Sequence, residues 1–79
     1  MSIFDHSRSK FATAMIEARK KAGLTGKEVA EKLGLASHTS VTMWEGDKGL
    51  PRLNDFVELC KIYDVTPNEL LGFGSVDKT

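Results

Sequence analysis

Three observations predict an all-α chain. Apolar residues recur at three- and four-residue spacing. Most of these stretches open on Ser, Thr or Pro and close on Gly, and no stretch alternates as a strand would. With 79 residues the chain has room for one core. A domain this small buries only about 60% of its unfolded surface, which favours an economical helical packing. Hydrophobic residues at 41% and charged residues at 28% belong to an ordinary globular chain, neither disordered nor membrane-embedded.

In the first helix Phe11, Met15, Ala18 and Ala22 form the inner face, and Gly23 ends it after a basic last turn. Thr25 opens the second, where its hydroxyl and the Glu28 carboxylate have the spacing of a capping box. Val29, Ala30 and Leu33 face inward, and Gly34 stops the helix. Ser37 is the expected N-cap of a third helix carrying Val41 and Trp44, broken in Gly46-Asp47-Lys48-Gly49. Pro51 fits the first turn of a fourth, with Leu53, Phe56, Val57, Leu59, Cys60 and Tyr63 as its apolar stripe and Asp64-Val65 at its close. Thr66-Pro67-Asn68-Glu69 repeats the capping logic and starts a short fifth helix that runs to Leu71 and stops at Gly72. The expected organisation is an N-terminal arm over 1–8, a domain over 9–73 and a tail over 74–79.

Composition excludes several functions. The lone Cys60 allows neither an internal disulfide nor a zinc cage, and a small buried hydrophobe is its expected role. His6 and His38 lie far apart, no glycine-rich phosphate loop is present and no metal-ligand cluster appears, so no enzyme, cofactor, metal or small-molecule ligand is expected. No apolar run reaches the length of a membrane span, and Met1–His6 lacks a secretion signal, which together lead to a cytoplasmic expectation.

Eleven basic and eleven acidic residues cancel, yet their order is uneven. Residues 1–40 hold seven bases to four acids, whereas 41–79 hold four to seven. A chain so divided has one end suited to a polyanion, although mixed solvated charge is the plainer reading of charge alone.

The second and third helices are joined by a tight bend, the arrangement of a helix-turn-helix. The leading end of the third reads Ser37-His38-Thr39-Ser40, then Thr42 and Met43, with no bulky aliphatic before Val41. Such groups suit contact with polar base edges, while Val41 and Trp44 on the opposite side anchor the helix. Trp44 shares the helical phase of Val41, so it is expected in the core and not as a stacking platform.

Gly23-Leu24-Thr25, Val29-Ala30, Leu33-Gly34, Ser37, Val41-Thr42, Trp44-Glu45, Pro51, Leu53 and Val65-Thr66-Pro67-Asn68-Glu69-Leu70-Leu71-Gly72 together resemble the Cro/phage-repressor family, also called lambda-repressor-like or XRE-type helix-turn-helix domains. The resemblance runs from Phe11 to Gly72. It implies a compact five-helix domain in which helices two and three form the helix-turn-helix. It also implies a sequence-specific transcription regulator of repressor or Cro-like kind, from a prophage or bacterium, binding as a homodimer to a palindromic double-stranded DNA operator with its third helix in the major groove. Carried over by position, His38, Thr39, Ser40, Thr42 and Met43 fall at the base edges. Thr25, Gly26, Lys27, Ser37, Lys48 and Arg52 fall at phosphates. Arg19 and Glu45 align with an ion pair of the family, and Ile62, Leu70 and Phe73 form the expected apolar dimer patch.

Two departures stand out against that pattern: Gly26 occupies a place where many members carry a phosphate-binding Gln, and the turn Gly34-Leu35-Ala36-Ser37 is one residue longer than usual. The rival expectation is a protein-interaction module of the same fold, antitoxin-like or an anti-repressor partner, that does not bind DNA.

Overall fold

The computed structural model describes residues 9–72, so the expected arm over 1–8 and tail over 74–79 lie outside the described residues. Five helices follow in order: α1 (Lys10–Lys21), α2 (Gly26–Leu33), α3 (Thr39–Glu45), α4 (Leu53–Tyr63) and α5 (Pro67–Leu70). No strand occurs among the described residues. The arrangement is the compact lambda-repressor-like one, with α2 and α3 as its helix-turn-helix.

Local chemistry sets most of the boundaries. Ser9 caps α1, its hydroxyl accepting from the Ala12 amide at 3.1 Å. Both capping boxes form: Thr25 with Glu28 opens α2, and Thr66 with Glu69 opens α5, where Pro67 fills the first turn. Each such cap is worth about 1 kcal/mol to a helix end. Gly34, at φ 78°, ends α2 in the left-handed conformation and turns the chain toward α3. Gly72, at φ +93°, closes the domain against the start of α1: a Cβ there would stand 2.8 Å from the Lys10 Cβ and 3.2 Å from its carbonyl oxygen. Only glycine permits that approach.

Met15, Val29, Ala30, Val41, Trp44, Leu59, Cys60, Tyr63 and Leu70 are buried in one core, with Phe11, Ala18, Leu24, Leu33, Leu35, Phe56, Ile62 and Val65 packed around it. Fully burying a side chain the size of Met15 or Leu59 contributes about 1.5–3 kcal/mol, enough in sum to hold a domain without a disulfide.

The fourth helix departs from its sequence-based expectation twice. Pro51 stands outside α4, ahead of the N-cap Arg52, because the Arg52 backbone is extended as the residue after the loop. Its apolar stripe is also narrower than expected. Phe56, Leu59, Cys60 and Tyr63 turn toward the core, while Leu53 remains 75% and Val57 44% exposed. Seven apolar positions on eleven residues, Ile62 included, span a wider arc than one packed face can cover.

Candidate nucleic-acid interface

The α2–α3 turn is built on backbone bonds. The Gly34 amide donates to the Glu31 carbonyl at 3.1 Å and the Leu35 amide to the Ala30 carbonyl at 2.9 Å, the pattern that satisfies the last carbonyls of a helix. Ala36, Ser37 and His38 then carry the chain to α3, which starts at Thr39. Ser37 was the expected N-cap, but the residue in that place is His38, without a side-chain capping bond. Ser37 instead closes a small turn: its hydroxyl accepts from the Thr39 amide at 3.3 Å and donates to the Thr39 hydroxyl at 3.0 Å. A serine bonding two residues ahead competes with helix entry, which moves the start forward.

Along α3 the two sides separate by phase. Val41, Trp44 and Glu45 are buried, Ser40 is half-buried, and Thr39, Thr42 and Met43 are exposed, as is His38 just before the helix. The polar leading turn is open to solvent and the anchoring side is sealed.

Behind α3 lies an ion pair between elements far apart in sequence. The Arg19 Nε donates to one Glu45 carboxylate oxygen at 2.9 Å, and a terminal guanidinium nitrogen donates to the other at 3.1 Å. The other terminal nitrogen donates to the Leu24 carbonyl at 3.1 Å. One guanidinium thus joins α1, the α1–α2 turn and the end of α3. Its planar fork is suited to this task in a way that a lysine is not. Tyr63 lies nearby, and its buried hydroxyl has no hydrogen-bond partner. Burial first, and the negative charge of Glu45 second, push the phenol's ionisation well above its ordinary value near 10.

Between the start of α2 and α3 runs a groove of about 340 Å³, lined by Arg19, Thr25, Gly26, Lys27, His38, Val41, Thr42 and Glu45. The structure therefore brings Gly26 and Lys27 of α2 together with Thr42 of α3 and with His38 just ahead of that helix. Thr25 has a different part from the expected one: its amide donates to Glu28 at 2.8 Å and its hydroxyl bonds the same residue, so both are committed to the capping box. The amides of Gly26 and Lys27, in the first helical turn, remain without helical acceptors. At Gly26 an added Cβ would meet Val41 at 3.8 Å and His38 at 4.0 Å, ordinary contact distances, so no crowding requires a glycine there. Lys48 and Arg52 are exposed on the loop between α3 and α4.

Of the expected dimer patch, Leu70 is not at the surface. Leu70 is 1% exposed and belongs to the core, because the capping box of α5 turns its last residue inward; Ile62 is half-buried against that core. Phe73 lies outside the described residues.

One structural link has no counterpart in the sequence reading. Asp47, in the turn after α3 at φ 62°, accepts from both the amide and the hydroxyl of Ser9, the latter at 2.7 Å. The turn that follows α3 is thereby tied to the start of α1. The available signals were a serine ahead of a helical stretch and an aspartate between turn glycines, 38 residues apart.

A family model described as helix-turn-helix matches residues 15–70. The chain belongs to the helix-turn-helix family, in its Cro/phage-repressor type. It is similar to the HTH-type transcriptional regulator ImmR of Bacillus subtilis (strain 168), with 39% identity over 62 residues. Those residues are 78% of this chain and 48% of ImmR, so the chain spans about half the length of that relative.

Glu45→Ala should cost about 1–3 kcal/mol in denaturant unfolding, because it leaves the half-buried Arg19 fork with no carboxylate. Replacing Arg19 by Met and Glu45 by Leu together should cost clearly less. Tyr63 makes a pH prediction. A phenol whose folded pKa is raised contributes stability that is complete below its unfolded value near 10 and is lost as pH rises above it. Tyr63→Phe should therefore unfold at least as far along a urea gradient as the parent at neutral pH, and should lose less stability between pH 9 and 11.

Proposed function

We propose that this chain is a sequence-specific DNA-binding transcription regulator of repressor or Cro-like kind, acting in the cytoplasm as a homodimer on a palindromic operator. The observation that carries the reading is α3 itself: a two-turn helix sealed along Val41, Trp44 and Glu45 and open along His38, Thr39, Thr42 and Met43. Nothing in folding requires a small polar face to stand free at the end of a helix-turn-helix, whereas a major groove admits a helix and offers donors, acceptors and thymine methyls to such groups.

In this reading His38 donates to guanine N7 or O6, Thr39 uses its hydroxyl or methyl, and Met43 packs on a thymine methyl, with Ser40 and Thr42 beside them. Thr39 already accepts from Ser37, so its own hydroxyl proton is free to donate outward. The amides of Gly26 and Lys27 take a phosphate at the positive end of α2, with the Lys27 ammonium adding charge. Glu28 sits at the same helix end, so this contact is weaker than an uncapped one and the exposed Lys48 and Arg52 share the backbone work. No Arg, Gln or Asn stands on the reading turn to make bidentate base contacts, which gives DNA shape and bridging water a large share in discrimination. Two copies place their α3 helices about 34 Å apart, one turn of the duplex.

Selection of duplexes from a random pool by the purified chain tests the proposal. Enrichment of an inverted repeat supports it. No enrichment, with binding insensitive to salt, favours the protein-interaction module. On the selected duplex Thr39→Ala should relax discrimination at one base position, while Lys27→Ala should weaken all sequences alike and reduce the salt slope by about one. Identical behaviour of the two variants across a site library would contradict the division of roles.

A further inference from the structure

His38 is exposed, lines the groove between α2 and α3, and makes no side-chain capping bond. Its ring is open to a ligand. Across the groove stands Gly26, whose missing side chain leaves the first turn of α2 uncovered. A Cβ on Gly26 would lie 4.0 Å from the His38 Cβ, so the imidazole is within a side chain's reach of the Gly26 and Lys27 amides proposed above to hold a phosphate. In the other direction His38 leads the reading turn. Its carbonyl accepts from the Thr42 amide at 3.0 Å, which sets the exposed Thr42 one turn further along the same groove. One ring thus stands between the phosphate end of α2 and the reading face of α3.

A neutral imidazole offers one N–H donor, whereas the protonated ring offers two, one on each nitrogen. Phosphate oxygens, guanine N7 and guanine O6 only accept. We propose that His38 serves a phosphate and a base edge together as an imidazolium, one N–H on each, so that the chain takes up a proton when it binds its operator. The proton linkage deepens the regulator reading above and rests on it.

The charged groups around the ring leave this role to DNA. Lys27 of α2 is an exposed cation. Arg19 of α1 and Glu45 of α3, on the groove wall, are bonded to each other, and the Glu28 carboxylate at the start of α2 accepts from the Thr25 amide and hydroxyl. The negative group that favours a charged ring is then the phosphate, which arrives with the duplex. A regulator so built grips its operator more tightly as its surroundings acidify through the range in which histidine changes charge. Gly26 is the condition for it, because a long polar side chain there would take the phosphate in place of the ring.

Affinity for the duplex recovered from the random pool, read by fluorescence anisotropy at fixed ionic strength between about pH 8 and pH 6, tests the linkage. His6→Gln in every chain removes the other histidine. Binding should tighten by about tenfold over that range. His38→Gln, which keeps two donor protons and cannot take a charge, should bind without the slope. Its fold is preserved, since the residue replaced is exposed and caps nothing, and circular dichroism checks this. Gly26→Gln has room for its Cβ, 3.8 Å from Val41, and favours the helix. Its amide takes the phosphate, and the slope should shrink to about threefold or less. With isotope-labelled histidine, the His38 ring in the complex should carry both protons at a pH where the free chain has lost one. Equal affinity across the range, or a slope that survives His38→Gln or is unchanged by Gly26→Gln, overturns the linkage and leaves the regulator reading intact. Failure to bind any duplex at every pH defeats the regulator reading, and the linkage with it.

Discussion

The fork between Arg19 and Glu45 is the constraint on which the rest of the site depends. A seven-residue helix such as α3 is far below the length at which helices hold themselves in water. Its place and angle come from what it buries. Val41 and Trp44 supply the apolar part of that anchorage, but apolar packing tolerates small rotations and a bidentate pair does not. With bonds of 2.9 and 3.1 Å to Glu45 and a further one of 3.1 Å to the Leu24 carbonyl, one side chain of α1 sets the end of α3 and the entry to α2 together. Such a pair adds modest net stability once desolvation is counted, and its value here is orientation.

The same logic extends to the connections. Ser9 holds the first turn of α1 and, through Asp47, the turn that leaves α3. Gly72 closes the end of the domain over Lys10. The C-terminal end of α3 is therefore referred back twice to α1, the longest of the described helices, at Glu45 and at Asp47, and the reading turn is free of structural duty apart from the Ser37–Thr39 bonds. Rigid placement of a small polar face is what a groove reader requires, since loose placement would lose the geometric part of recognition.

Features whose cause is local were legible in the sequence. The caps of α2 and α5 each involve residues three apart, and the glycines that end helices act on their own backbone. The inward phase of Val41 and Trp44 follows from periodicity alone. Features that join distant segments were not legible in that way. Arg19 and Glu45, 26 residues apart, pair by family likeness alone, and the Ser9–Asp47 link across 38 residues leaves no local pattern. Periodicity also cannot say which part of a wide apolar arc is covered. Leu53 and Val57 share the phase of the core stripe and are exposed, while Leu70, expected at a surface, is buried. The start of α3 slipped because a serine ahead of a helix can either cap it or close a turn of its own, and only the neighbouring backbone decides.

The central claim is that the open side of α3 and the start of α2 form one DNA-contacting surface. Amide chemical shifts of the isotope-labelled chain, followed while a duplex recovered from the random pool is added, measure this most directly. The account predicts that the largest changes fall on Gly26, Lys27, His38, Thr39, Ser40, Thr42 and Met43, with Cys60, Tyr63 and Leu70 hardly moved. Changes centred on another face, or none at saturating duplex, would contradict it.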